Sequence, residues 1–129
     1  MINSANQWTM AYNEQLSDRI RAALMDMPQV EEKRMFGGIC YMVNNKMCIG
    51  VSNDEMMCRI GPDAYEQALE RHGCREMVFT GRPMNGYVFV SNDGMKSEQE
   101  FRNWIDLCLA FNKVAKSSKK KTAASENYR

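Results

Sequence analysis

Five cysteines (Cys40, Cys48, Cys58, Cys74 and Cys108) and one histidine (His72) are the residues of this 129-residue chain with most scope for chemistry. Thiols and imidazoles bind zinc, form disulfides or attack carbonyl carbon, but each of these tasks needs a particular spacing. No two cysteines form a CxxC pair, and a structural zinc ion takes four ligands. No metal or other cofactor is therefore expected. "FGG" (Phe36 to Gly38) invites comparison with a phosphate loop, which places its glycines between a strand and a helix N-terminus. Here the next residues are "ICYMV", a strand pattern, and GxGxxG, GxxxxGK[ST] and GxSxG are all missing. A hydrolytic triad would have His72 as its sole imidazole, and the carboxylates form no convincing inward pair. No catalytic residue is expected, and the chain reads as a non-enzyme.

The elements that would position these side chains follow from periodicity. Trp8, Tyr12, Leu16, Ile20 and Leu24 recur every four residues, predicting an amphipathic helix that ends before Pro28. "GPDAYEQALERHG" (Gly61 to Gly73) predicts a second helix, with Pro62 at its first position and Gly73 just past its end. Ser97 and Glu100 have capping-box spacing and open a third, carrying Phe101, Trp104, Ile105, Cys108 and Leu109 inward. Between the first two helices, Gly37-Gly38, Asn44-Asn45 and Asn53-Asp54 each separate short apolar runs. Residues of these types tolerate the positive φ of tight hairpin turns. Four antiparallel strands are expected at 32–36, 39–43, 46–52 and 55–60, with Phe36 opposite Ile39, Val43 opposite Lys46 and Ser52 opposite Glu55. After the second helix come two more strands, about 76–80 and 87–91, joined by a wide "GRPMNG" loop. The order is helix, four-stranded meander, helix, two strands, helix: an α+β fold with helices against one sheet.

Side chains alternate across a strand and opposed residues share a face. In the expected register one face collects Met35, Cys40, Met42, Met47, Ile49 and Val51, continuing through Met56, Cys58 and Ile60. That face is the one assigned to the helices, with the methionines as core filler. Cys40 and Cys58 share it, but Ile49 separates them by two strand spacings, about 9.6 Å, which is beyond disulfide reach. On the outer face Arg34, Tyr41, Cys48 and Arg59 form a row. Guanidiniums beside a thiol favour its thiolate, so this row, with Lys46 nearby, is a candidate partner- or anion-binding face with a modestly reactive thiol at Cys48. Cys74 and Cys108 read as small buried apolar groups, and His72 as a residue at a helix C-terminus.

Charge is unevenly distributed. From Lys113 onward six cations face Glu126 alone, a net +5, which leaves the rest of the chain at −4 within a total of +1. The expected organisation is an N-terminal segment (1–8), one domain (9–115) and a disordered basic tail (116–129), with nucleic acid reached only weakly through that tail. No apolar run approaches the roughly 18 residues of a membrane span. The first residues have neither the basic nor the apolar region of a signal peptide. Odd, unpaired cysteines in a chain of this size fit reduced thiols in the cytoplasm.

"RMFGGICYMVNNKMCIGV", "EMMCRIG", "FTGRPMNGYVFV" and a closing helix with Trp104 together resemble the N-terminal domain of the TfoX (Sxy) family of competence regulators, over about residues 10 to 115. The resemblance implies a secretion-chaperone-like two-layer α+β fold, of the kind found in small stand-alone members, and a transcriptional co-activator background. Residue by residue it marks Met35, Phe36, Gly37, Gly38 and Lys46, then Gly81, Arg82, Pro83, Gly86 and Tyr87, the last five as a candidate loop groove. The expected function is a regulatory or protein-interaction module that binds a protein partner or itself. The alternative is a small-molecule or anion-binding protein with chemistry at Cys48.

Overall fold

A computed structural model describes residues 12–35 and 37–116. The first helix, α1, is Glu14–Ala23. It starts later than the apolar stripe predicts because Asn13 caps it. The Asn13 side-chain oxygen accepts from the backbone N–H groups of Gln15 and Leu16 at 2.9 and 3.1 Å, pairing two donors that a helix start leaves free. Tyr12 stands outside the helix in a parallel bridge with Asn53, and Trp8 lies outside the described residues. Leu16, Ile20 and Leu24 are buried, as their spacing requires.

Six strands follow: β1 (Val30–Met35), β2 (Gly38–Val43), β3 (Lys46–Ser52), β4 (Glu55–Arg59), β5 (Cys74–Phe79) and β6 (Arg82–Val90). They form one antiparallel sheet in the order β1-β2-β3-β4-β6-β5. Helix α2 (Pro62–Leu69) connects β4 to β5, and α3 (Glu98–Asn112) follows β6. The fold is α+β, with the element order that the sequence predicts. Pro62 opens α2 as expected, but that helix stops at Leu69 and Gly73 belongs to the turn that follows. At α3 the capping box is complete: the Glu100 N–H donates to the Ser97 hydroxyl at 3.0 Å, and the Ser97 N–H donates to the Glu100 carboxylate at 3.1 Å.

The first hairpin turns one residue earlier than expected. Met35 pairs with Gly38, Gly37 is in the turn, and Phe36 lies outside the described residues. Gly37 supplies a φ of +73°, whereas Gly38 serves close approach: a Cβ there would stand 1.9 Å from the Val51 carbonyl oxygen. Asn44 and Asn45 have φ of 54° and 66°, both positive as a primed two-residue turn requires.

A larger difference lies between β2 and β3. Val43 pairs with Lys46 and Met42 with Met47, but then Tyr41 pairs with Ile49 and Ile39 with Val51. Cys48 is the extra residue of a bulge. An inserted residue shifts every later pair by one, and in a structure of period two that exchanges faces. Ile39, Tyr41 and Val43 therefore join Ile49, Val51, Met56 and Cys58 beneath the helices. Cys40 and Met42 lie on the other side with Met57. The expected face assignment is thus corrected for β1, β2 and the start of β3, where Met47 joins Cys40 and Met42 on the far side. Cys48 and Cys58 are on the helix side, and Cys40 is opposite to both.

The "GRPMNG" segment is not a wide loop. Phe79 pairs with Arg82 across a two-residue turn at Thr80-Gly81, whose φ values are 52° and 80°. Pro83 to Gly86 run on as strand β6. Pro83 is tolerated because β4 pairs with β6 only from Tyr87 onward, so this stretch has β5 as its one named strand neighbour.

The three described helices bury their apolar stripes on the same side of the sheet. Two polar contacts fix α3 against it. The Trp104 indole N–H donates to the Gly94 carbonyl at 3.1 Å, and the Asn112 side-chain amide donates to the Val43 carbonyl at 3.1 Å. On the edge strand β1, Glu31, Glu32, Lys33 and Arg34 are all exposed. Arg21 of α1 reaches Glu32 with a two-pronged ion pair at 2.7 and 3.0 Å.

Candidate functional site

The row of Arg34, Tyr41, Cys48 and Arg59 expected on the outer face does not assemble, because the Cys48 bulge intervenes. Tyr41 is fully buried beneath α1, with its hydroxyl against the Ser17 hydroxyl and the Ser17 carbonyl. Cys48 is buried as well, and its sulfur lies 3.8 Å from the Cys108 carbonyl oxygen. Arg34 is exposed on the face of Ile39, with its guanidinium 5.9 Å from the Tyr12 ring. Lys46 is directed to the C-terminal end of α3, donating to the Asn112 carbonyl at 2.6 Å. A cation there meets the negative end of the helix dipole. Arg59 alone belongs to the opposite face. It donates to the Met47 and Lys116 carbonyls at 3.2 and 3.4 Å and lies 5.6 Å from the Tyr87 ring. Lys46 and Arg59 thus hold protein carbonyls, and the thiol between them in sequence is in the core.

Burial decides the thiol chemistry. It pushes Cys48 far above the ordinary thiol range, and the nearby Arg59 and Lys46 charges offset little of that. Burial raises Cys40 to about 11 and half-buried Cys74 to about 11. Cys108 is raised well above its ordinary value by burial and by its hydrogen bond with Cys58. At pH 8 the reactive thiolate is scarce at each of these sites. Iodoacetamide applied to the native protein should therefore label Cys74 first, with Cys40, Cys48, Cys58 and Cys108 protected until unfolding. Peptide mapping of the alkylated cysteines checks this, and labelling of Cys48 as fast as Cys74 would contradict the burial. Among the described residues no three of His, Cys, Asp or Glu stand close enough together to hold a metal ion.

The candidate loop groove is also dispersed. Gly81 and Arg82 form an exposed hairpin tip and Pro83 is exposed on β6. Gly86 is buried, and a Cβ on it would lie 3.2 Å from the Cα of Gly61. Its carbonyl accepts from the Ile60 and Gly61 N–H groups at 2.8 and 3.1 Å, which pins β6 to the start of α2. Tyr87 turns to the face away from the helices.

That outer face is formed largely by residues other than those the sequence assigns to it. Met35, Cys40, Met42, Met47, Met57 and Met77 share it with Met84, Tyr87 and Phe89. Every member of this cluster comes from a strand, and no described helix packs over it. A cavity of about 330 Å³ lies there, bordered by Met35, Cys40, Gly50, Met57, Met77 and Phe89, one residue from each of the six strands. Both edge strands contribute, so the sheet curls until its two edges border one hollow. Arg75 stacks over Phe89 at 4.8 Å and forms a two-pronged ion pair with Glu55 at 2.6 and 2.8 Å.

Three described helices on one side of a curled antiparallel sheet, with the other side left apolar, define an α+β module. The model of the TfoX N-terminal domain matches residues 22–112, and the chain belongs to that family. Comparisons with curated proteins and with solved structures return no match. No described helix is long and apolar enough to cross a membrane.

Proposed function

We propose that the chain is a non-enzymatic regulatory module of the cytoplasm that acts by binding another protein through the uncovered face of its sheet. The observation that carries this reading is the apolar strand cluster with no described element over it. Contiguous apolar surface left open on a folded domain marks interaction sites, and methionine is well suited to such surfaces because its unbranched thioether adapts to different partners. Membership of the TfoX N-terminal domain family supports a TfoX-like role for the module. The residues that do the binding are then Met47, Met84 and Tyr87, which are half-buried and reach the surface of that face.

The test is recovery of a partner from the native cell by the tagged full chain. It is repeated with Met47→Glu plus Met84→Glu, and with Glu66→Arg on the exposed side of α2 as control. A specific partner should be retained by the wild type and the control, and lost by the double variant. Retention by all three, or no partner together with a strictly monomeric mass in light scattering, would overturn the reading.

A further inference from the structure

We propose that the hollow bordered by Met35, Cys40, Gly50, Met57, Met77 and Phe89 is a binding site for a small apolar molecule that carries one hydrogen-bonding end. The site lies on the face discussed above but stands whether or not a protein binds there.

Volume selects the class of occupant. The cavity measures about 330 Å³, within the range of roughly 300–1,000 Å³ typical of small-molecule pockets. A single turn of helix, 10–12 Å across and 5.4 Å long, displaces more than about 400 Å³. A helical partner can therefore lie across the mouth but cannot enter. Cys40, Met57 and Met77 on the border of the cavity are only 2%, 5% and 6% exposed, so they form an apolar floor on which an occupant would rest one side while the other faces the open mouth.

The floor is built for adjustment. Cys40, Gly50 and Met57 stand in one cross-strand row. Because Gly50 has no side chain, Met57 folds over it, with its terminal methyl 3.3 Å from the place a Cβ would occupy. A thioether rotates at little cost, so Met57 can swing aside and enlarge the hollow without moving backbone. Ser52 borders the same cavity and pairs with Glu55, whose carboxylate is already matched by Arg75. The polar end of the ligand belongs beside Ser52, where it meets a hydroxyl and not an unpaired charge. Val78, also on the border and 51% exposed, forms an apolar lip.

The experiment uses the neutral dye N-phenyl-1-naphthylamine with full-length protein labelled at its methionine methyl groups with carbon-13. Saturable one-to-one binding with enhanced, blue-shifted emission is expected. In the methyl spectrum Met35, Met57 and Met77 should shift, while Met56 and Met95, on the helix side of the sheet, stay in place. Val78→Trp, a change at an exposed position, should plug the lip and weaken binding at least tenfold with an unchanged melting temperature. Absence of saturable binding, shifts centred on Met56 and Met95, or equal affinity in Val78→Trp would each overturn the proposal. If Val78→Trp folds poorly, the methyl shifts of the wild type decide alone. Loss of partner capture in the Met47 and Met84 variants does not bear on this titration, so the two readings fail separately.

Discussion

Gly38→Ala is expected to cost more than about 3 kcal/mol, well beyond an ordinary surface substitution. The reason is not backbone freedom, because Gly38 does not have a positive φ. A methyl at that position would meet the Val51 carbonyl oxygen at 1.9 Å, with the Val51 carbon and the Ser52 Cα close behind. These are backbone atoms of the neighbouring strand, so they can yield only if β2 and β3 part. Gly37→Ala is the matched control. It has a φ of +73° and nothing within 4 Å of its would-be Cβ, so only the left-handed backbone is penalised, at about 1 kcal/mol. Urea unfolding of both variants separates the two explanations of the glycine pair. Equal losses would mean that β2 and β3 can separate at Gly38 without penalty.

Trp104→Ala is expected to cost about 3–5 kcal/mol, the range for removing a large aromatic from a packed interior. Trp104 is 1% exposed at the centre of the helix–sheet core. Its indole N–H bonds the Gly94 carbonyl at 3.1 Å, and Arg71 covers its ring at 5.0 Å. In a domain of this size such a loss lowers the melting temperature by about 12–20 °C. Trp104→Phe keeps most of the packing but removes the donor to Gly94, so it should fall between the two. Melting followed by circular dichroism gives the comparison. A Trp104→Phe variant as stable as the wild type would assign the whole effect to packing.

The element order was legible because each helix and each turn carries its own local signal. Asn44-Asn45, the Ser97–Glu100 box and the stripe of Leu16, Ile20 and Leu24 all act within a few residues. The face assignment was not legible, and β2 shows why. "GICYMV" is buried at all six positions, so its alternation carries no contrast, and either face could have been turned to the helices. The one residue that decides, Cys48, looks like any other strand residue. Its effect as a bulge depends on which partners lie across the sheet. The "GRPMNG" segment misled for a related reason. Asn85-Gly86 has turn chemistry, but the chain turns at Thr80-Gly81, where a β-branched residue adopts a φ of 52° that such residues rarely take. Gly86 instead supplies a φ of +93° within β6 and lies close against Gly61.

The candidate site was hidden by the same bulge. The regular register puts Cys40, Met35 and Met42 under the helices, where they read as core filler. The bulge moves them to the far side, where the curl of the sheet gathers them with Met57, Met77 and Phe89. No local pattern announces that curl, since it arises from contacts between strands distant in sequence.

The run of four charged residues on β1 bears on how the molecule behaves at high concentration. A sheet edge offers unpaired N–H and C=O groups to any passing strand, including that of another copy, and so seeds fibrous association. On Glu31, Glu32, Lys33 and Arg34 the charges alternate across both faces of that edge. An incoming strand would therefore have to bring its side chains against charge above and below the sheet. The chain leaves an apolar hollow open in the middle of its sheet, yet closes the nearer border to strand addition, so the exposed face does not become a route to aggregation along β1.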